Sequence, residues 1–309
     1  MTAKNIHANC SHSQLHDFNG WHSDWNLSKV RRAETWDCAM EGLSRLKDRV
    51  ELGRLGESFS VSAASRRIAI LGAASAIGEA AARLWAAGGA RFALVGRDAD
   101  RLQAIAADLR ARGAAVAEPV VADCAALNAD AELERIAELL GGLDIVLLAY
   151  GVLGDHTRLE CDPEAAHSLM QTNFVSAAGW CLAAANRFER QRSGSLVVIG
   201  SVAGDRGRAS NYVYGASKAG LGVLVEGLAH RLAKSGARAV LIKPGFVDTP
   251  MTAAVAEKGP LWSRPETVAK VIVASADRGC PVVYAPWFWR GIMFVVRNIP
   301  SAIFHKTNL

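Results

Sequence analysis

Residues 67–89 read RIAILGAASAIGEAAARLWAAGG, and this stretch decides the fold that we predict. Its apolar run ends at Gly72, which is typical of a buried strand. The apolar spacing that follows indicates a helix, which the glycine pair at 88–89 ends. Between the strand and the helix, Gly72 and Gly78 permit a tight turn and let the backbone approach a pyrophosphate. The free N–H groups of a helix N-terminus attract such an anion.

The same alternation of strand and helix continues along the chain. Helical patterns at 99–113 and 128–143 separate short apolar segments, and further helical segments separate the later ones. Continuously apolar strands that alternate with helices are typical of a parallel sheet buried on both faces. We therefore predict an α/β fold, a single doubly wound parallel sheet flanked by helices. The other predicted strands are 91–97, 115–123, 144–151, 194–201 and 238–245.

Length and composition are those of one globular domain with appendages. The chain has 309 residues, half of them hydrophobic, and we divide it into an irregular extension (1–66), the α/β domain (67–280) and an amphipathic tail (281–309). Six cysteines without a CxxC pair favour a reducing cytoplasm. A polar N-terminus predicts no signal peptide, and the lack of an uncharged apolar run of about 18 residues predicts no transmembrane helix. We expect a cytoplasmic protein or one peripheral to the inner membrane.

The extension contains residues that could bind a metal. These are His7, Cys10, His12, His16 and His22, but their spacing matches no metal-binding template. We favour a poorly ordered extension, or a translation start at Met40, and predict no metal.

The end of the second predicted strand bears on the choice of cofactor. An NAD-selective site usually has an acidic residue there for the ribose 2′-hydroxyl, whereas this chain has Gly96 followed by Arg97. A guanidinium suits a 2′-phosphate, so the sequence favours NADP(H). NAD(H) is the alternative, because Asp98 could reach the ribose instead. Asp123, which ends the third strand, is placed to meet the adenine edge or to cap a helix.

A tyrosine and a lysine four residues apart lie in the segment YVYGASKAG, residues 212–220. On a helix these two residues share a face, so Tyr214 would present its phenol beside the ammonium of Lys218. We expect the cation to lower the pKa of the phenol toward neutrality, which suits proton transfer to a carbonyl oxygen. The small residues at 215–217 would leave room for a cofactor against the helix.

Two polar residues precede this pair. Ser201 ends the predicted strand 194–201, where its hydroxyl could hydrogen-bond a substrate oxygen or cap a turn. Asn173 lies on the preceding helix, where at a distorted position it could hold a water near Lys218, or where it could simply face solvent.

These residues together resemble the short-chain dehydrogenase/reductase family over roughly residues 67–252. The resemblance implies a single Rossmann-type domain, a homo-oligomer and an Asn–Ser–Tyr–Lys tetrad. It makes Tyr214 the acid/base and has Ser201 orient the substrate. Lys218 would tune the tyrosine and hold the nicotinamide ribose, and Asn173 would anchor a relay water. The motifs that carry the resemblance are Gly72–Gly78, Asn173, Ser201, Tyr214, Lys218 and KPGFVDT at 243–249.

The resemblance also implies a set of cofactor contacts, and it has one departure. The family usually has an Asn-Asn-Ala-Gly motif after its fourth strand, but residues 148–151 here are Leu-Ala-Tyr-Gly. The asparagine that ties neighbouring strands is missing, which indicates a divergent branch. The implied cofactor residues are Gly72, Ser75, Ile77, Gly78, Arg97, Asp123, Gly151, Tyr214, Lys218, Pro244, Gly245 and Thr249.

Three segments, 149–155, 201–220 and 283–306, resemble one subgroup, the decaprenylphosphoryl-2-keto-ribose reductases. The resemblance implies reduction of the 2-ketone of a polyprenylphosphoryl pentose to the arabinose epimer. It also implies a flavin-dependent oxidase as the partner enzyme that supplies the ketone. The rival predictions are a reductase of another carbonyl, such as a 3-oxoacyl thioester or a steroid, and a non-catalytic cofactor-binding scaffold. No constellation in the core indicates nucleic-acid binding.

The tail and the loop after Ser201 carry cations. Aromatic residues and Arg290, Arg297 and Lys306 alternate in the tail, which predicts contact with a membrane surface, or else packing on the sheet or on a neighbouring subunit. Arg206 and Arg208 could meet a substrate phosphate, or could be solvated loop residues.

Overall fold

A computed structural model of the chain describes residues 65–126, 128–253, 255 and 258–307. The predicted extension, with His7, Cys10, His12, His16 and His22, lies outside these residues, apart from its last two. Within the described ranges, no group of three or more His, Cys, Asp or Glu side chains lies close enough together to bind a metal ion.

Seven strands form one sheet in the order β3-β2-β1-β4-β5-β6-β7. Every neighbouring pair is parallel, as expected for strands that are connected through helices. Parallel pairing and the strand order confirm the predicted doubly wound α/β sheet. The strands are β1 (Arg67–Leu71), β2 (Arg91–Gly96), β3 (Val116–Val121), β4 (Ile145–Leu148), β5 (Ser195–Ile199), β6 (Arg238–Pro244) and β7 (Val282–Ala285).

Helices connect the strands and cover both faces of the sheet. They are α1 (Ala76–Ala86), α2 (Ala99–Ala111), α3 (Ala129–Leu140), α4 (His156–Cys161), α5 (Pro163–Met170), α6 (Ala177–Gln191), α7 (Tyr212–Leu232), α8 (Pro265–Arg278), α9 (Trp289–Asn298) and α10 (Ser301–Phe304). A π-helix, Gln171–Ser176, joins α5 to α6 without a break. None of the helices in the described residues is long and apolar enough to span a membrane.

Two apolar layers enclose the sheet because alternate strand residues point to opposite faces. Ile68 and Ile70 of β1 pack in the layer that contains α1, α2 and α8. Ala69 and Leu71 of the same strand pack in the layer that contains α3, α6 and α7. This two-sided burial explains why the strands read as continuous apolar runs.

The strand order reverses between β1 and β4, and the residues predicted to be functional follow the carboxyl ends of the strands. From β1 the chain continues to β2 and β3 on one side, and it then crosses to β4 on the other side of β1. Ligands bind outside the carboxyl ends at such a switch point. The sheet also continues past residue 280, because β7 lies in the segment that the sequence analysis treats as a tail.

Candidate active site

The turn after β1 has the shape that a dinucleotide site requires. Gly72 has a φ of +83°, and a Cβ there would lie 2.6 Å from the Cβ of Tyr150. Gly78 packs closely against β4, because its Cβ would lie 3.2 Å from that of Ala149. Ser75 caps α1 by accepting a hydrogen bond from the Gly78 N–H. The N-terminus of α1 therefore follows β1 at the switch point, where its N–H groups suit an anion.

The ends of β2 and β3 carry three residues that the sequence analysis connects with the cofactor. Arg97 is exposed and forms no ion pair with any described residue. Asp98 caps α2, and its Oδ1 accepts a hydrogen bond from the Arg101 N–H at 3.0 Å. Asp123 accepts from the Ala125 N–H at 2.9 Å. The Arg97 guanidinium is thus available to bind a ligand, whereas the neighbouring Asp98 carboxylate is engaged by its own helix.

Ser201, Tyr214 and Lys218 come together where β5 ends against α7. The Ser201 Oγ accepts a hydrogen bond from the Ala203 N–H at 3.0 Å, and the same hydroxyl acts on the Tyr214 phenol, whose pKa it lowers. Lys218 is buried, and its Nζ donates to the Ile199 carbonyl at 3.2 Å and lies 6.0 Å from the centroid of the Tyr214 ring. A phenol, a hydroxyl and an ammonium therefore come together at the carboxyl end of β5.

Burial, rather than the nearby cation, sets the acidity of this pair. Removal from water raises the pKa of the Tyr214 phenol, and the hydrogen bond with Ser201 offsets only part of that rise. Burial also lowers the pKa of Lys218 to about 8. The expectation that Lys218 brings the pKa of Tyr214 down toward neutrality is therefore wrong for the chain itself. The physical reason is that desolvation disfavours both charged forms.

Asn173 occupies a distorted turn of helix. It lies on the π-helix and is only 1% exposed, so it does not face solvent. Its Oδ1 accepts from the Val152 N–H at 2.8 Å, and its Nδ2 donates to the Val152 carbonyl at 2.7 Å and to Ser217 Oγ at 3.3 Å. A Cβ on Gly151 would lie 3.1 Å from the Asn173 Oδ1 and 3.4 Å from the Lys218 Nζ. The π-helix thus brings the amide to the same small space as the ammonium.

The small residues of α7 serve the protein's own packing. A Cβ on Gly215 would lie 2.9 Å from the Ala203 carbonyl oxygen, and one on Gly204 would lie 2.8 Å from the backbone of Lys218. Ser217 is fully buried and donates to the Tyr214 carbonyl at 2.7 Å. The expectation that residues 215–217 leave room for a cofactor is wrong at 215 and 217. These positions instead let the Ser201 loop lie directly on α7.

Comparisons with known proteins agree with this geometry. The family model of the short chain dehydrogenases matches residues 66–259. The chain belongs to this family. An uncharacterised oxidoreductase of Mycobacterium tuberculosis (strain CDC 1551 / Oshkosh) is 37% identical over 242 residues, which cover 77% of this chain and 96% of the relative.

Two further members of the short-chain dehydrogenase family show how broad the similarity is. A 3-oxoacyl-[acyl-carrier-protein] reductase of Bos taurus is 34% identical over 184 residues, which cover 60% of this chain and 76% of the relative. A short-chain dehydrogenase of Sphingobium yanoikuyae, solved in complex with NADPH, superimposes with a TM-score of 0.64 at 26% identity. That superposition covers 76% of this chain and 97% of the other.

Tyr150 lies in the segment that departs from the family's Asn-Asn-Ala-Gly motif, at the position of the motif's alanine. Its hydroxyl lies 2.9 Å from the Ser176 Oγ, and that Oγ donates to the Thr172 carbonyl at 2.8 Å. Because Ser176 uses its one proton on Thr172, Tyr150 is the donor in their shared bond. Tyr150 thus ties the end of β4 to the π-helix that holds Asn173.

The segment after β6 is covered by an aromatic side chain that the sequence analysis did not assign to the site. Pro244 is buried, and a Cβ on Gly245 would lie 1.9 Å from the Cε2 and Nε1 of Trp289. Thr249 shares a reciprocal cap with Thr252, whose Oγ1 accepts from the Thr249 N–H at 3.2 Å. The sequence around Gly245 does not predict this contact, because Trp289 lies far along the chain.

The remaining predicted residues divide between packing and the site's rim. Ile77 is partly buried and packs against the apolar layer of α1. Arg206 donates through Nη1 to the Val296 and Ile299 carbonyls, at 2.6 and 2.7 Å, so its contacts favour a structural role over the predicted phosphate contact. Arg208 is half-buried, its Nε has no partner among the described residues, and burial lowers its pKa.

Proposed function

We propose that this short-chain dehydrogenase is an NAD(P)H-dependent reductase that converts a ketone to a secondary alcohol. The observation that carries the proposal is the convergence of Ser201, Tyr214 and Lys218 beside the glycine turn at Gly72. Each of the three supplies a group that carbonyl reduction needs: a hydrogen-bond donor, an acid and a cation.

The glycine turn and its rim fit a nicotinamide dinucleotide. Gly72 and Gly78 leave the backbone open to a pyrophosphate, and Lys218 lies within reach of a nicotinamide ribose. Arg97, which no described acid pairs with, would hold a 2′-phosphate, and this supports NADP(H) over NAD(H). The Sphingobium relative binds NADPH, which supports the same choice. When bound, the cofactor supplies the hydride.

Tyr214 and Ser201 would handle the carbonyl oxygen. Because burial raises the pKa of Tyr214, its phenol keeps its proton at neutral pH and can give it to a nascent alkoxide. Ser201 holds that oxygen through its hydroxyl. Lys218 and Asn173, which meet around Gly151, would return a proton to the tyrosine through a bound water. The protonated phenol is the form that reduction of a ketone needs at this position.

Steady-state kinetics with each cofactor test the assignment of Arg97. Replacing it, Arg97→Gln, should raise the KM for NADPH about tenfold or more and leave the KM for NADH within about twofold, because only NADPH has a 2′-phosphate. The matched control is Lys234→Gln. Lys234 is an exposed cation in the connection between α7 and β6, at the amino-terminal ends of the strands rather than at their carboxyl ends. Equal KM changes for both cofactors would remove the argument for NADP(H).

As substrate we propose the 2-keto group of a polyprenylphosphoryl pentose, with a flavin-dependent oxidase as the enzyme that supplies it. The resemblance of 201–220 and 283–306 supports this choice, as does the apolar segment that follows β7. Arg208, with its partnerless Nε beside the active-site helix, supports recognition of the phosphate. Replacing it, Arg208→Gln, should raise the KM for the phosphorylated ketone about tenfold and leave that for an uncharged ketone unchanged.

A 3-oxoacyl thioester is the second candidate substrate, and the bovine relative supports it. A panel of ketones incubated with NADPH, including the polyprenylphosphoryl keto-pentose, a 3-oxoacyl thioester and a steroid, would separate the candidates by kcat/KM. A preference for the thioester of about tenfold or more would overturn the sugar substrate but not the reductase. Failure of every ketone would favour a cofactor-binding scaffold without turnover.

A further inference from the structure

The outward face of the C-terminal segment exposes large apolar side chains. Trp287 is 77% exposed, Phe294 71%, Val295 62% and Ile303 58%. Among the other large hydrophobic residues that the structure describes, only Val223 at 74% and Val121 at 58% are as exposed. These four side chains lie within seventeen positions of the chain, so large exposed apolar groups are concentrated in this segment rather than scattered singly over the surface.

The inner face of the same segment is already used by the fold. Trp289 and Met293, one turn apart on α9, are buried against Val202 of the Ser201 loop. A surface helix that buries one apolar face normally presents a polar one to water. Here the exposed side of α9 carries Phe294 and Val295 together with Arg290 and Arg297, so apolar and cationic groups are mixed on the face that meets solvent.

The same segment carries cations and no acidic residue. Arg290 and Lys306 are exposed, and neither forms an ion pair with a residue in the described ranges. From Arg278 to Leu309 the sequence has four lysine or arginine residues and no aspartate or glutamate. Exposed aromatic and aliphatic groups between such cations match the chemistry of an anionic lipid surface.

We propose that this docking face, formed by Trp287, Arg290, Phe294, Val295, Ile303 and Lys306, rests on an anionic lipid surface. A second copy of the chain is a poorer occupant. A two-fold interface brings the same patch of both subunits together, which would oppose cation to cation with no acid to pair them. A lipid surface supplies both the apolar interior and the negative charge.

The docking face is fixed to the catalytic serine loop. Arg206, five residues after Ser201, donates to the Val296 and Ile299 carbonyls and places its guanidinium carbon 3.7 Å from the centroid of the Phe304 ring. A lipid surface on this face would therefore lie beside the loop that holds the carbonyl oxygen. An amphiphilic ketone could then reach the site from the lipid, and only this consequence rests on the proposed function.

Vesicle sedimentation of the full-length protein, without cofactor or ketone, tests the proposal. We expect binding to phosphatidylglycerol-containing vesicles at least about tenfold tighter than to phosphatidylcholine vesicles, and weaker binding as salt is raised. The double variant Trp287→Ser with Phe294→Ser should bind the anionic vesicles at least about tenfold more weakly. Val223→Ser, which removes an equally exposed apolar side chain from α7, should bind as the unchanged protein does.

Three results would overturn the proposal. These are equal binding by the double variant, equal binding to both vesicle types, and a dimer in vesicle-free sedimentation that the double variant abolishes. Both serine variants replace exposed side chains, so circular dichroism should show them folded. Because the assay contains neither cofactor nor ketone, its failure leaves the reductase proposal standing, and a failure of turnover leaves the docking face standing.

Discussion

The indole of Trp289 lies directly on Gly245, where an added Cβ would come within 1.9 Å of two ring atoms. Gly245 also donates its N–H to the Ala285 carbonyl at 3.1 Å, so the end of β6 and the start of the C-terminal segment are held together twice. The edge of Trp289 contacts Phe246, with ring centroids 5.3 Å apart. The C-terminal segment is therefore one wall of the candidate active site.

The packing of Trp289 should require glycine at position 245, because a Cβ there would collide with the indole. Gly245→Ala forces the indole or the backbone to move, and overpacking of this kind costs about 1–3 kcal/mol or more of unfolding free energy. Gly291→Ala, on α9 in open space, should instead stabilise the protein by roughly 0.5–1 kcal/mol. Urea denaturation of the two variants measures both values. Equal stability of the two would show that Trp289 does not occupy this position.

A buried ion pair, between Lys243 and Asp205, holds the Ser201 loop against the sheet. The Lys243 Nζ lies 2.7 Å from Asp205 Oδ1, and the Tyr284 hydroxyl donates to Asp205 Oδ2 at 2.7 Å. Replacing Lys243→Met leaves a buried carboxylate without its cation, so we expect a loss of about 3–5 kcal/mol. Tyr284→Phe should cost about 1–3 kcal/mol, because it removes only the hydroxyl. Chemical denaturation of both variants measures the two losses of unfolding free energy. A larger loss in Tyr284→Phe than in Lys243→Met would contradict the prediction.

The hydrogen bond from Tyr150 to Ser176 should stabilise the π-helix. Tyr150→Phe removes the donor and keeps the buried ring, so we expect a loss of about 1 kcal/mol. The same substitution in a Ser176→Ala background should cost measurably less, because the partner is already gone. A double-mutant cycle by thermal unfolding measures this coupling. Purely additive effects would mean that the two hydroxyls do not interact.

The strand ends could be predicted from sequence, and they account for most of the site. Parallel strands put their carboxyl ends at one edge, so Gly72, Arg97, Ser201 and Gly245 had to share that edge once the alternation was recognised. The helical spacing of Tyr214 and Lys218 likewise fixed their common face. Residue type and periodicity carry this information locally.

Other features depend on contacts between distant segments and left no local signal. The position of Trp289 on Gly245 is set by how α9 packs, and the carbonyls that hold Arg206 belong to the far end of the chain. The direction of the pKa shift at Tyr214 was wrongly predicted because burial, which the spacing does not reveal, raises the pKa of the phenol. Spacing specifies neighbours along a helix, whereas burial depends on the whole fold.

The lowered pKa of Lys218 predicts how stability changes with pH. Its pKa is about 8 in the folded chain and 10.5 for an exposed lysine, so the unfolded chain binds the extra proton between these values. The contribution of Lys218 to stability should therefore rise as pH increases from about 8 to about 10.5, by an amount on the order of 3 kcal/mol. The buried thiols of Cys124 and Cys181, whose pKa values burial raises, act in the opposite direction, so the contribution of Lys218 is read as a difference from a variant without the ammonium. In Lys218→Met this rise should be absent. Denaturant unfolding across this pH range compares the two proteins, and parallel curves would contradict the burial of the ammonium.

The most direct test of the account is turnover of Tyr214→Phe, measured with NADPH binding in the same preparation. We expect kcat to fall about 100- to 10,000-fold, because the phenol supplies the proton, while the Kd for NADPH stays within about twofold. Tyr212→Phe, at an exposed tyrosine two residues earlier on α7, should keep full activity. Near-normal turnover by Tyr214→Phe with an active ketone would contradict the assignment of Tyr214 as the acid.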